Sequence, residues 1–135
     1  PSEIIPRLFI SDLASAEDPR ILRRYRITHV MTAMRGVAVV PEHLQRYYVP
    51  LDDHPFAEIA SFLPQTSEWI HRALSNPSAC VLIHCAEGIS RSVSVVCAYL
   101  MFVKGWTSTR AIQEVQARRV IAQPNFGFVK QLQEY

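Results

Sequence analysis

Apolar and polar positions along this chain fall into blocks whose period changes. "DPRILRRYRI" starts with Asp18, a good N-cap, and sets Pro19 at the first helical position, so a short helix to about Tyr25 is predicted. "THVMTAM" is apolar and rich in strand formers, and "YYVPL" reads as a second short strand broken at Pro50. "DDHPFAE" is then a loop containing Pro55. From about Ile59 to Leu74 the apolar residues Ile59, Phe62, Leu63, Ile70 and Leu74 recur at helical spacing. Pro64 confines the start of that helix to near Ser61, because first-turn N–H groups have no intrahelical partner. "SNPS" is a turn, and "CVLI" is a continuous apolar run, as expected of a strand covered on both faces. "SRSVSVVCAYLMFVK" is apolar almost all round, hence a buried helix beginning near Ser90 and ended by Gly105. Thr107 caps a more polar helix to about Arg119, and "PNFGF" opens a last one. Strands alternating with helices predict an α/β protein, with a central, mostly parallel sheet flanked by helices.

Composition narrows the picture. A chain of 135 residues, 49% hydrophobic, suits one domain with its own core. A net charge of +2 gives no general attraction to nucleic acid or to a membrane surface. No apolar run approaches the ~18 residues of a membrane span. The chain opens on Pro1 with no secretory pattern, and reads as a trimmed fragment. Cys80, Cys85 and Cys97 are odd in number and spaced neither as CxxC nor as metal ligands. No disulfide scaffold, zinc site or cofactor is expected, and free thiols suit an intracellular compartment, cytoplasmic or nuclear. His29, His43, His54 and His71 show no metal spacing and are expected at the surface or partly buried. Arg23, Arg24 and Arg26, and likewise Arg118 and Arg119, are read as solvated faces. Trp69 and Trp106 are assigned to the core, and Cys80 to a buried strand. Its place five residues before Cys85 raises the alternative of a disulfide on oxidation.

The chemistry concentrates in "VLIHCAEGISRS", Val81 to Ser92. Cys85 falls at the carboxyl end of a buried strand, where ligands bind in open α/β sheets. The helix after it offers free N–H groups and the positive end of a dipole. Gly88 allows the turn that wraps the loop into an anion nest. A thiol so placed, beside a cation, commonly has its pKa lowered to ~3.5–7.5 from ~8.5. Arg91 supplies a fork that grips two phosphate oxygens.

This stretch resembles the signature of the cysteine-dependent protein phosphatases: His84, Cys85, five residues (Ala86, Glu87, Gly88, Ile89, Ser90), Arg91 and Ser92. "AYLM", Trp106 and "PNFGF" resemble the dual-specificity branch, and "LDDHPFAEI" its atypical members that carry a separate C-terminal zinc-binding region. The resemblance covers 1–135 as one catalytic domain and implies the protein tyrosine phosphatase-like fold. It implies a phosphocysteine intermediate on Cys85, phosphate held by residues 86–91, a Ser92 hydroxyl that helps the thiol leave, and His84 ordering the loop. The general acid would lie three residues after a strand-ending proline, hence Asp53 rather than Asp52, with His54 beside it. The substrate so implied is a phosphorylated protein bearing phosphotyrosine or phosphoserine/threonine. A chain this short has little room for the added recognition loop of the phosphotyrosine-only enzymes, so the pocket is expected to be shallow. A monomer is expected. Two other readings remain open at this point: a phosphoinositide or RNA 5′-phosphate phosphatase, disfavoured by Glu87 and the lack of an added cation in the loop, and a phosphate-binding module without turnover.

Overall fold

The computed structural model describes residues 1–135. Its five strands are β1 (Ser2–Ile5), β2 (Leu8–Ser11), β3 (His29–Ala33), β4 (Gln45–Val49) and β5 (Val81–His84). They form one sheet in the order β1-β2-β5-β3-β4. Only β1 is antiparallel, joined to β2 by a tight turn at Pro6 and Arg7, where Arg7 has φ 72°. β5 is central, parallel to β2 on one side and β3 on the other, and all four of its residues are buried. Val81, Leu82 and Ile83 of the predicted "CVLI" run are buried in it as expected, and the expected mostly parallel α/β sheet is present.

There are six helices, α1 (Leu13–Ala16), α2 (Pro19–Arg24), α3 (Leu63–Leu74), α4 (Arg91–Lys104), α5 (Ser108–Arg118) and α6 (Phe126–Glu134), of which α2 to α6 follow the predicted order. Asp18, Thr107 and Asn125 cap α2, α5 and α6 through their side chains. Pro64 sits in the first turn of α3, preceded by one turn of 3₁₀ helix at Ala60–Phe62. Gly105 ends α4 in the left-handed conformation, φ 69°. The main core lies between the sheet and α3–α6 and includes Leu8, Ile10, Met31, Ile83, Val95, Leu100 and Phe128. A smaller cluster around Phe9, Leu22, Val30 and Leu82 covers the other face.

Three expectations change. The first seventeen residues contribute β1, β2 and α1, which the residue pattern does not single out, because each is only four residues long. Cys80 is half-buried and precedes β5 rather than lying in it. It is separated from Cys85 by the length of that strand, about 16 Å at ~3.3 Å per residue, far beyond disulfide reach. Trp69 and Trp106 are half-buried at the margin of the core: Trp69 packs against His29 and Tyr47, and Arg110 lies over the Trp106 ring.

Candidate active site

The strand register places Ser11 and Thr32 on either side of His84, at the carboxyl end of three parallel strands. Cys85 follows at once and is buried. The chain then turns through 86–90, with Gly88 at φ 70°, and enters α4. A Cβ at Gly88 would lie 2.8 Å from the Ser11 carbonyl oxygen, so glycine is required by space as well as by backbone conformation.

The carbonyls of this loop are taken up around its outside. Ala86 O accepts from Leu13 N, Gly88 O from Arg119 Nε at 2.8 Å, Ile89 O from Gln123 N, and Ser90 O from Ser94 N. Glu87 O accepts more loosely from Arg119, at 3.4 Å. A trans peptide points its C=O and N–H in opposite directions, so each outward carbonyl turns the next N–H inward. Gly88 N accordingly donates to Cys85 Sγ at 3.3 Å. The N-cap of α4, Ser90, makes no side-chain capping bond; its hydroxyl instead accepts from Asn125 N. The first-turn donors of α4 are therefore left for an anion.

Burial is the largest single influence on the Cys85 thiol and works against its ionisation. It is outweighed by the Ser92 hydroxyl, 3.1 Å from the sulfur, together with the N–H groups of Ser92, Gly88 and Ile89, so the pKa falls below its ordinary value. Burial lowers the pKa of His84. Its Nδ1 lies 3.1 Å from Cys85 O, a group that only accepts, so Nδ1 carries the proton and Nε2 accepts from the Thr32 hydroxyl at 2.8 Å. The imidazole thus ties β3 to the root of the loop. Cys97, deep in α4, has its pKa pushed up by burial to about 12 and plays no part in the cleft.

Arg91 donates through Nη1 to Leu51 O at 3.1 Å, while its buried Nε has no partner. A buried guanidinium N–H left unpaired is costly, and a phosphoryl oxygen would satisfy it. Arg91, Asp53, Cys85, Ala86, Glu87, Ile89 and Ser90 line a small cleft of about 100 Å³. Asp53 Oδ1 accepts from Asn125 Nδ2 at 2.9 Å. Asp52 is turned away, its carboxylate 3.4 Å from Arg35 Nε. His54 is exposed and lines no part of the cleft. The remaining histidines are exposed or half-buried, as expected.

Two contributors do not stand out in the sequence. α6 holds the Asp53 loop: Gln131 accepts from Ile59 N and Ala60 N and donates to Ala57 O. Gly127 lies so close to Pro55 that a Cβ would overlap its carbonyl oxygen. Arg119, read as part of a solvated face, is half-buried against the loop, whereas Arg118 beside it is exposed. Arg23, Arg24 and Arg26 are exposed, as that reading has it.

A central parallel sheet that delivers a thiol into a loop of inward N–H groups, closed by an arginine, defines the class of cysteine-dependent phosphatases. The comparisons make the family specific. A sequence profile described as "Dual specificity phosphatase, catalytic domain" matches residues 8–135. "Dual specificity protein phosphatase 13B" of Homo sapiens is 40% identical over 139 residues, 97% of this chain and 70% of that one. "Dual specificity protein phosphatase 26" of Mus musculus is 39% identical over 136 residues, covering 96% of this chain and 64% of the relative. Among solved structures, human DUSP28 superimposes with a TM-score of 0.92 at 29% identity, over 99% of this chain and 90% of that one. A human tyrosine phosphatase-like serine/threonine/tyrosine-interacting protein gives 0.90 at 34%, over 99% and 93%. The chain belongs to the dual specificity phosphatase family. It is a cysteine-dependent protein phosphatase with the protein tyrosine phosphatase-like fold, its substrates are phosphorylated proteins, and none of its helices is long and apolar enough to cross a membrane.

Proposed function

We propose that residues 1–135 act as one catalytic domain that hydrolyses phosphotyrosine and phosphoserine/threonine in proteins through a phosphocysteine intermediate on Cys85. The observation that carries the site assignment is the unpartnered, buried Nε of Arg91 in the same small cleft as the Cys85 sulfur and the inward N–H groups. In the first step the Cys85 thiolate attacks phosphorus while the bond to the leaving oxygen breaks. Asp53 gives that oxygen its proton. The N–H groups of Ala86, Glu87, Gly88, Ile89, Ser90 and Arg91, with the Arg91 guanidinium, hold the three equatorial oxygens. In the second step water attacks phosphorus, Asp53 takes the water's proton, and Ser92 donates to the departing sulfur.

The cleft of about 100 Å³ is read here as open to both short and aromatic phosphoresidues. Exposed Glu87 and the lack of any loop cation besides Arg91 disfavour nucleic acid and polyphosphorylated lipids as substrates. A monomer is the working unit in this reading, and three unpaired cysteines support a reducing, intracellular setting. The test is a panel of phosphotyrosine and phosphothreonine peptides, a phosphoinositide and 5′-triphosphorylated RNA, assayed with the natural chain and with Cys85→Ser. Both peptide types should be hydrolysed, and the variant should lose turnover but retain phosphopeptide binding. Turnover by Cys85→Ser within tenfold of the natural chain would rule out the covalent step. Preference for the lipid or the RNA would rule out the substrate class.

A further inference from the structure

Arg119 is not among the residues that line the cleft, yet its guanidinium is among the most fully engaged in the molecule. Nε donates to Gly88 O at 2.8 Å, Nη2 reaches toward Glu87 O at 3.4 Å, and Nη1 donates to the Ser2 hydroxyl at 3.0 Å. Those two carbonyls belong to the peptide units whose other ends are Gly88 N–H and Ile89 N–H. The Gly88 N–H hydrogen-bonds the Cys85 sulfur at 3.3 Å, and the Ile89 N–H adds to the lowering of the thiol pKa. We infer that Arg119 is a positioning residue for catalysis, holding these two peptide units by their outer ends so that their N–H groups remain aimed at the thiolate and at the phosphoryl oxygens. The inference rests on the reading of Cys85 as the nucleophile.

The packing supports this role. The other outer carbonyls of the loop, at Ala86, Ile89 and Ser90, are held by backbone N–H groups. At Glu87 and Gly88 a single side chain does the work, donated from the end of α5. A Cβ on Gly88 would come within 2.5 Å of Arg119 Nη2, so the glycine is also what allows the guanidinium to approach. A peptide whose carbonyl is bonded to a cation is polarised, which makes its N–H a better donor to an anion on the other side. Arg119 therefore acts on the sulfur through geometry and through polarisation, with a smaller direct contribution from its charge. The other charged or titratable groups near the sulfur are Arg91 on α4, Asp53 on its loop, Glu87 within the nest, Asp12 at the start of α1, and His84, whose neutral tautomer is set by its two partners.

The variants that separate these contributions are Arg119→Met, which keeps the length but removes donors and charge, and Arg119→Lys, which keeps the charge but cannot span both carbonyls. The pH midpoint of iodoacetamide alkylation at Cys85, located by mass mapping, is measured in each variant alongside the pH profile of phosphotyrosine-peptide hydrolysis. Thermal unfolding identifies any variant that fails to fold. Arg119→Met should raise the alkylation midpoint by about one pH unit, the scale of losing one or two aligned donors to an anion, and shift the acid limb of the rate profile with it. Its kcat should fall tenfold or more, and Arg119→Lys should recover part of both effects. An unchanged midpoint in a folded Arg119→Met chain would overturn the inference, whether or not activity fell. If Arg119→Met does not fold, the midpoint in Arg119→Lys decides, and no shift there overturns it equally. Slow alkylation of Cys85 in the natural chain itself would instead overturn the reading of the nucleophile.

Discussion

At the scale of single residues, Asp52 and Asp53 pose the sharpest question, because neighbouring carboxylates on one loop cannot both serve the cleft. The resemblance points to Asp53 by its spacing from Pro50, and the structure gives each residue a different partner. Asp53 meets Asn125 at the mouth of the cleft, and Asp52 meets Arg35 outside it. If Asp53 protonates the leaving group, Asp53→Asn should slow hydrolysis of aryl phosphates more steeply as leaving-group pKa rises, by about 10²–10⁴ for the poorest leaving groups. The falling alkaline limb of its rate profile should vanish, since that limb records loss of the acid's proton. Asp52→Asn should keep both features. A series of aryl phosphates measured with both variants decides the assignment, and a steeper dependence in Asp52→Asn would reverse it. Local spacing brings Cys85 and Arg91 forward as candidates from the sequence, and the resemblance adds Asp53. Arg119 was not readable, because nothing in "ARRV" separates it from Arg118; only the return of the chain past the loop makes them different.

At the scale of elements, α6 is more than a cover for the core. Phe128 and Leu132 bury one face, while Asn125 and Gln131 hold the loop that presents Asp53. The sequence reveals "PNFGF" as a helix start, which Asn125 caps in the structure, but contacts spanning some seventy residues carry no local signal. Gly127→Ala tests whether this hold matters. In an exposed helix the change would be stabilising by about 1 kcal/mol. Here the new methyl meets the Pro55 carbonyl, so helix and loop must part. The expected result is a loss of tenfold or more on poor leaving groups, with little change on good ones, and an unchanged rate of Cys85 alkylation. Equal loss across all leaving groups would mean that the helix acts on the nucleophile instead. The same logic explains why β1 and β2 were not foreseen: a four-residue strand is too short to display a period, and its identity comes from the neighbour it pairs with.

For the molecule as a whole, the buried thiol of Cys97 predicts how stability responds to alkali. Its folded pKa, about 12, lies above the ordinary 9.0, so the native state keeps a proton that the unfolded chain releases. The stabilisation is fully present below about pH 9 and is lost as pH rises toward 12, with a slope of at most about 1.4 kcal/mol per pH unit. Cys97→Ala should flatten the urea-unfolding free energy over this window relative to the natural chain; an identical slope would show that other groups govern alkaline unfolding. The sheet order has a consequence for how the activity comes into being. β5 is the last strand to be synthesised, yet it occupies the middle position, and before it arrives the β1–β2 and β3–β4 pairs share no neighbour. Inserting it closes long loops on both sides, which places this event late and makes it slow relative to helix formation. Cys85 is the residue that follows this strand, so an acidic, reactive thiol should come into existence only as the two halves of the sheet are joined. A chain stalled before that point would carry an ordinary cysteine, and the return of rapid alkylation during refolding would time the closing of the sheet.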